Sequence, residues 1–361
     1  MTKLRDICRF QSGGTPSRGT PAYFNGNVPW ITTVALNGDV IDGNQAIEWI
    51  SDEAIAKSAA KIVPPHSVMV GTRVGIGKVA INSVPMSTSQ DIISLIGIDE
   101  NKWDKKFICH LITANKEHLT SQARGATIKG IKIEAIADLA LPEISLTEQA
   151  RISEVIGKVD ALMHMHQQMA MNLEQLIKSR FIELFGDPVI NPKGFPCYTV
   201  GEVIDFQGGS QPDKKYFEYE ASPSNIRLIQ IRDYKSDKYI TYIPKTMAKR
   251  FCTADDIMIG RYGPPIFQIL KGIEGSFNVA LMKATPKMGN REFVRQFLKQ
   301  DCLLEYLEGL SKRTAGQDGI QMDKLKAYPF PYPPMELQEQ FAAFVEQTDK
   351  SKLCGKMEVA A

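Results

Sequence analysis

The stretch FQSGGTPSR (residues 10–18) returns as FQGGSQPDK (residues 206–214), 196 positions later, each time after a short apolar stretch (LRDIC, then VGEVI). The repetition continues in order along the chain. SVMVGTRVGIGK (67–78) pairs with DIMIGRYGPPIF (256–267), with Val68-Met69-Val70-Gly71 above Ile257-Met258-Ile259-Gly260 at an interval of 189. Residues 90–95 pair with 277–282, GIKIEAIADLALP (130–142) with GIQMDKLKAYPFP (319–331), and LTEQ (146–149) with LQEQ (337–340). Five ordered pairs exclude chance, and the interval is far too long for a solenoid repeat. The chain is a tandem duplication of a whole domain. Its 361 residues agree, being too many for one ordinary core and suited to two.

Each copy carries short β-type runs (ISLIGI, LIQI, VALMKA) broken by Gly, Pro and Asn, and helical apolar spacing over 102–117 and 291–310. Each is therefore a mixed α/β globule of roughly 140 residues. A G-I-x-[IM] segment, at 130–133 and 319–322, reads as a further strand.

The segment between the copies differs in kind. From 147 to 185 there is no proline and one glycine, Gly157. Ile152, Val155, Val159, Leu162, Met169, Leu173 and Leu176 recur at heptad-like steps of three, four and seven. Ser145 is an N-cap with Glu148 three residues on, and Gly186-Asp187-Pro188 is a stop. The pattern predicts a single helix about 57 Å long, a spacer in shape. A second helix is expected from Met335, with Phe341, Phe344 and Val345 facing inward, ending near 353–355 at about 18 residues. The expected organisation is a first globule at 1–144, a spacer helix at 145–186, a second globule at 187–334 and a shorter helix at 335–361 that packs on the spacer.

Enzymatic signatures are missing. GTRVGIGKV fails the phosphate-loop pattern by one residue and by Val79 after Lys78; no GxGxxG enters a helix, and GPPIF is not an Asn-Pro-Pro-aromatic motif. His164 and His166, two apart on a helix, cannot form a metal pair at i,i+4. Six dispersed cysteines with no CxxC fit free thiols in a reducing cytoplasm. No apolar run reaches the ~20 residues of a membrane span, and the N-terminal residues lack the apolar segment of a signal peptide.

Two variable globules, each opening on a Gly-rich phrase ending in Pro and closing on LPxxxxxEQxxI or its variant plus a helix, resemble the specificity (S) subunit of type I restriction–modification systems. The residues carrying the resemblance are FQSGGTP, VPWI (28–31), GIKIEAIADLALPEISLTEQARI and SRFIELFGDP, then FQGGSQP, GIQMDKLKAYPFPYPPMELQEQ and the last helix. The second copy departs from it, with NIRLIQIRD in place of VPWI. The resemblance implies an α+β fold of two target recognition domains held apart by coiled-coil-like helices in a pseudo-two-fold arrangement. It implies a non-catalytic, sequence-specific DNA-binding subunit that reads a bipartite, asymmetric target, one half-site per domain. Partners would be double-stranded DNA, two modification (methyltransferase) subunits and, in the full complex, restriction subunits. S-adenosylmethionine, ATP and magnesium would belong to those partners. The net charge of +2 gives no global basic footprint, so a duplicated protein-binding scaffold stays open as the alternative.

Base reading needs donors that reach base edges and cations that hold phosphates. In the first globule three stretches offer them: Thr15 and Arg18 beside Gly13-Gly14; Thr72, Arg73 and Lys78; and Gln122, Arg124, Thr127, Lys129 and Lys132 in the acid-free SQARGATIKGIK. In the second, SKRTAGQDGIQ supplies Lys312, Arg313, Thr314, Gln317 and Gln321, with Arg232, Lys235, Arg261 and Tyr262 beside it. Because the second helix is the shorter, the seam from Ile152 to Leu162 lacks an intramolecular partner and is expected to be covered by another chain, either a modification subunit or a second copy of this one.

Overall fold

A computed structural model describes residues 2–38, 40–125, 129–262, 265–311 and 320–360. The chain divides into two compact units, 1–163 and 164–361.

In the first unit the strands are β1 (Arg9–Ser12), β2 (Val28–Ile31), β3 (Val40–Ile41), β4 (Glu48–Ile50), β5 (Ile62–Val63), β6 (Val68–Gly71), β7 (Val79–Asn82), β8 (Met86–Thr88) and β9 (Ile92–Ile96). The helices are α1 (Asp52–Lys57), α2 (Lys105–Ala114), α3 (Lys116–Ser121), α4 (Ile133–Ala137) and α5 (Leu146–Phe185), the last running on into the second unit. One sheet has the order β1-β9-β6-β7-β3 and the other β4-β2-β8-β5. The central strand β6 shows how the layers stack. Val68 and Val70 face Ile108 and Ile112 of α2, while Met69 faces Ile31, Met86 and Ile92 on the side of the second sheet. Covered on both faces, the strand is apolar throughout.

The second unit repeats this plan. Its strands are β10 (Cys197–Thr199), β11 (Ile204–Gly208), β12 (Asn225–Ile229), β13 (Tyr242–Pro244), β14 (Phe251–Cys252), β15 (Ile257–Gly260), β16 (Gln268–Lys271), β17 (Gly275–Phe277), β18 (Leu281–Pro286) and β19 (Pro329–Pro331). Its helices are α6 (Val200–Val203), α7 (Arg291–Leu298), α8 (Asp301–Ser311), α9 (Met322–Ala327) and α10 (Met335–Ala360). The sheets run β11-β18-β15-β16 and β13-β12-β17-β14, with β10 and β19 paired apart. Four strands of the first sheet and all four of the second match the first unit, β3 having no counterpart, down to the parallel pair in the second sheet, β2 with β8 and β12 with β17.

Strand register sharpens the duplication. Phe10 and Val68 both pair with Leu95; Phe206 and Ile257 both pair with Ala284. Leu95 thus corresponds to Ala284, at the same interval of 189 as Val68 to Ile257. The pairing of 90–95 with 277–282 read from the sequence is two residues out. A two-residue slip leaves every side chain on its own face, so apolar alternation does not detect it.

Gly13 and Gly209 explain the twice-written phrase. Gly13 donates its N–H to Ile92 O and Gly209 to Leu281 O, equivalent bonds at 3.0 and 3.1 Å. A Cβ at Gly13 would lie 2.2 Å from Ser89 O, and one at Gly209 1.9 Å from Asn278 O. The glycines serve close backbone approach inside each unit.

Three local expectations are revised. Among the described residues the G-I-x-[IM] segment forms no strand: 131–133 and 320–322 lead into α4 and α9, a short apolar pattern in which periods two and 3.6 are not separable. The helical stretches 102–117 and 291–310 are each split, at Asn115 and at 299–300. Helix α10 continues through Gly355 to Ala360, because one glycine without a following proline costs only about 1 kcal/mol.

Helix α5 begins and ends as its signals predict. Ser145 Oγ accepts from the Glu148 N–H at 3.2 Å, and Gly186 closes the helix at φ +75°. Within the second unit its last turns enter the core: Phe181 stacks on Phe293 at 5.7 Å between centroids and meets Phe341 of α10 edge-on at 5.6 Å. Arg180 lies over Phe344, and Val345 is buried.

Each unit also fastens a helix start with a buried glutamine. Gln149 accepts from the Asp104 N–H at 3.0 Å and donates to Lys102 O and Ile144 O. Gln338 accepts from the Asn290 N–H at 2.8 Å and donates to Pro333 O. Gln149 therefore corresponds to Gln338, not to Gln340 as the LTEQ and LQEQ pairing had it.

Candidate nucleic-acid interface

Helix α3, the start of α4 and the loop after β6 enclose a groove of about 790 Å³ in the first unit, where Arg73, Gln122, Arg124 and Lys132 converge, with Glu134 on the wall. Two sequence stretches 49 or more residues apart thus meet. The β6 loop is tied down by Thr72, whose N–H and hydroxyl both donate to Asp91 O, at 2.8 and 3.0 Å, and whose own carbonyl accepts from the Ile131 N–H. Thr72 is buried, so its side chain positions the loop. Arg73 is half exposed and lies 3.4 Å from the Asp91 carboxylate. Arg124 and Gly130 exchange both backbone hydrogen bonds, and Arg124 is exposed. Gln122 bonds the His118 ring at 2.8 Å. Lys78, Lys129 and Lys132 are exposed. Thr127 lies outside the described residues.

The opening phrase contributes differently. Thr15 hydrogen-bonds Gln90. Arg18 makes a two-pronged ion pair with Glu48 and lies 4.5 Å over the Phe24 ring. That bond to Glu48 raises the guanidinium pKa above its ordinary value. Its charge is met within the unit.

In the second unit, Arg261 donates its N–H to Ala280 O, as Thr72 does to Asp91 O, so Arg261 and Tyr262 stand where the first unit has Thr72 and Arg73. Arg261 lies 5.3 Å over the exposed Tyr262 ring. Gln321 occupies the N-cap position of α9, as Lys132 does for α4. Lys312, Arg313, Thr314 and Gln317 lie outside the described residues. Lys235 is exposed at the end of a 3-10 turn, 231–234. Arg232, in that turn, belongs to a separate cleft of about 510 Å³ with Tyr219, Asp237, Lys238, Tyr239 and Tyr242. Beneath it Asp233 accepts from the Gln230 N–H, and burial raises its carboxyl pKa above the usual range despite Arg227 3.6 Å away. These tyrosines and Lys238 are scattered over 24 positions and form no motif; alternation of aromatic and basic residues through 232–242 was the available signal.

On α5 the seam positions Val155, Val159, Leu162, Met169 and Leu176 are all exposed by 40% or more, and Ile152 and Leu173 are partly so. Phe341 and Val345 of α10 are buried and Phe344 partly buried. Among the described residues no three His, Cys, Asp or Glu side chains are grouped as a metal site would require, and no helix is long and apolar enough to cross a membrane.

The two units are built on one plan, and each carries exposed cations on its loops. The chain belongs to the type I restriction modification DNA specificity family, whose domain matches residues 1–175 and 192–355. Among its relatives is the type I restriction enzyme MjaIX specificity subunit of Methanocaldococcus jannaschii, 26% identical over 62% of this chain and 56% of that protein. Another is the EcoR124I/EcoR124II specificity subunit of Escherichia coli, 29% identical over 44% of this chain and 40% of that one. The matched regions thus span about half the length of these relatives. The crystal structure of a type I restriction-modification S subunit from M. genitalium has the same fold, with a TM-score of 0.57 at 16% identity, over 99% of this chain and 91% of that one.

Proposed function

We propose that the chain is the DNA-reading subunit of a type I restriction–modification complex, with each unit reading one half of a bipartite target. The observation that carries this reading is the matched topology of the two units with unlike exposed side chains at a matched loop position, Arg73 against Tyr262. A shared frame with different contacting groups is what an asymmetric target demands. Arg73, Arg124, Lys129 and Lys132 in the first unit, and Arg232, Lys235 and Arg261 in the second, supply charge for phosphates and donors for base edges. Helix α5 acts as the ruler between half-sites. Its exposed seam at Val155, Val159 and Leu162 is the docking surface for modification subunits, which bring S-adenosylmethionine, while ATP and magnesium belong to the restriction step.

Duplex binding at graded salt tests this. Counterion release from several phosphate contacts makes log K fall steeply and linearly with log salt. A flat salt response, or equal affinity for all duplexes, would speak for the protein-binding scaffold instead.

A further inference from the structure

Register equates the edge of the second sheet in the two units position by position. Val28 pairs with Ile50 and Pro29 with Trp49; Ile226 pairs with Ile243 and Arg227 with Tyr242. Ile31 and Ile229 correspond, since their carbonyls accept equivalent bonds from Ser89 and Asn278. It follows that Trp49 matches Tyr242 and Glu48 matches Thr241.

That last exchange changes the electrostatics of the edge. In the first unit Glu48 takes up the charge of Arg18, while its chain neighbours Ile47 and Trp49 are exposed. In the second unit the acid is replaced by Thr241, whose hydroxyl accepts from Arg232 Nη2 at 3.0 Å and from Gln230 Nε2 at 3.0 Å. A hydroxyl orients a guanidinium without neutralising it. Neither nearby acid hydrogen-bonds it: Asp237, on the cleft wall, bonds Arg227 at 2.9 Å, and Asp233, buried beneath the turn, bonds Gln230 and attracts Arg232 without an ion-pair contact. Arg232 lies 5.9 Å from the Tyr239 ring centroid, which Lys238 flanks at 5.5 Å. The result is an exposed guanidinium fixed by an aromatic ring and a threonine, at the mouth of a cleft walled by tyrosines.

Resting on the DNA-reading function proposed above, we propose that Arg232, oriented by Thr241 and Tyr239, reads a guanine in the half-site of the second unit. A planar fork of donors held in one orientation suits the paired acceptors O6 and N7, which guanine alone presents in the major groove.

The test is selection of bound duplexes from a random pool by the full-length chain and by the variants Arg232→Ala and Arg232→Gln, with melting temperatures measured beside them. The wild type enriches a two-part motif with a guanine in one part. Arg232→Ala lowers preference for that guanine by about five- to a hundredfold while leaving the other part intact. Arg232→Gln moves the preference from guanine towards adenine, whose N6 and N7 suit a carboxamide, a change no loss of stability would produce. A motif that both variants leave unchanged overturns the inference, as does a loss of affinity uniform over all sequences, the mark of a phosphate contact. A wild-type chain that enriches no motif overturns the DNA-reading function itself, a separate outcome.

Discussion

At the residue scale, the glycines and glutamines that recur in both units are structural. Gly13→Ala places a methyl group against Ser89 O and is expected to destabilise the first unit by more than about 2 kcal/mol; its calorimetric transition should fall while that of the second unit stays. Gln149→Ala leaves the Asp104 N–H and two carbonyls without their partner, at a cost of about 2 kcal/mol or more. At roughly 2–4 °C per kcal/mol for a domain of this size, its transition drops by several degrees, and Gln338→Ala does the same to the second unit. Duplication was legible in the sequence because glycine and apolar runs are rare enough to align. The buried glutamines were misaligned because two glutamines, 338 and 340, lie in one helical turn and only burial tells them apart.

At the element scale, α5 has two characters. Its last turns are core: Phe341→Ala, removing the ring that meets Phe181 and Phe185, should cost the second unit about 3–5 kcal/mol. Its middle is an exposed apolar face. Val155→Lys combined with Leu162→Lys should leave thermal stability nearly unchanged, since both side chains are about half exposed, yet abolish co-purification with modification subunits. Retention of those subunits, with loss of a homodimer instead, would assign the seam to a second copy of the chain. The helix itself was plain from its heptad steps and its stop signal. The break between α2 and α3 was not, because apolar spacing continues across Asn115 while the backbone does not.

At the scale of the whole molecule, the units share one frame and differ at its edges. Family and fold class were legible because the frame is written in glycine, proline and apolar alternation. The groove that gathers Arg73, Gln122, Arg124 and Lys132 was half legible: both stretches stood out as basic loops, but nothing in the order of residues said that they meet. The tyrosine cleft was not legible, since Tyr219, Arg232, Tyr239 and Tyr242 are joined only by strand pairing and turns.

The central claim is that this chain chooses a two-part DNA target for a methylating complex. Genome-wide mapping of methylated adenines, in cells carrying the whole system with and without this gene, tests it most directly. A bipartite motif, unlike in its two halves, that is methylated only when the gene is present is the predicted result. A methylation pattern unchanged by deleting the gene would contradict the account.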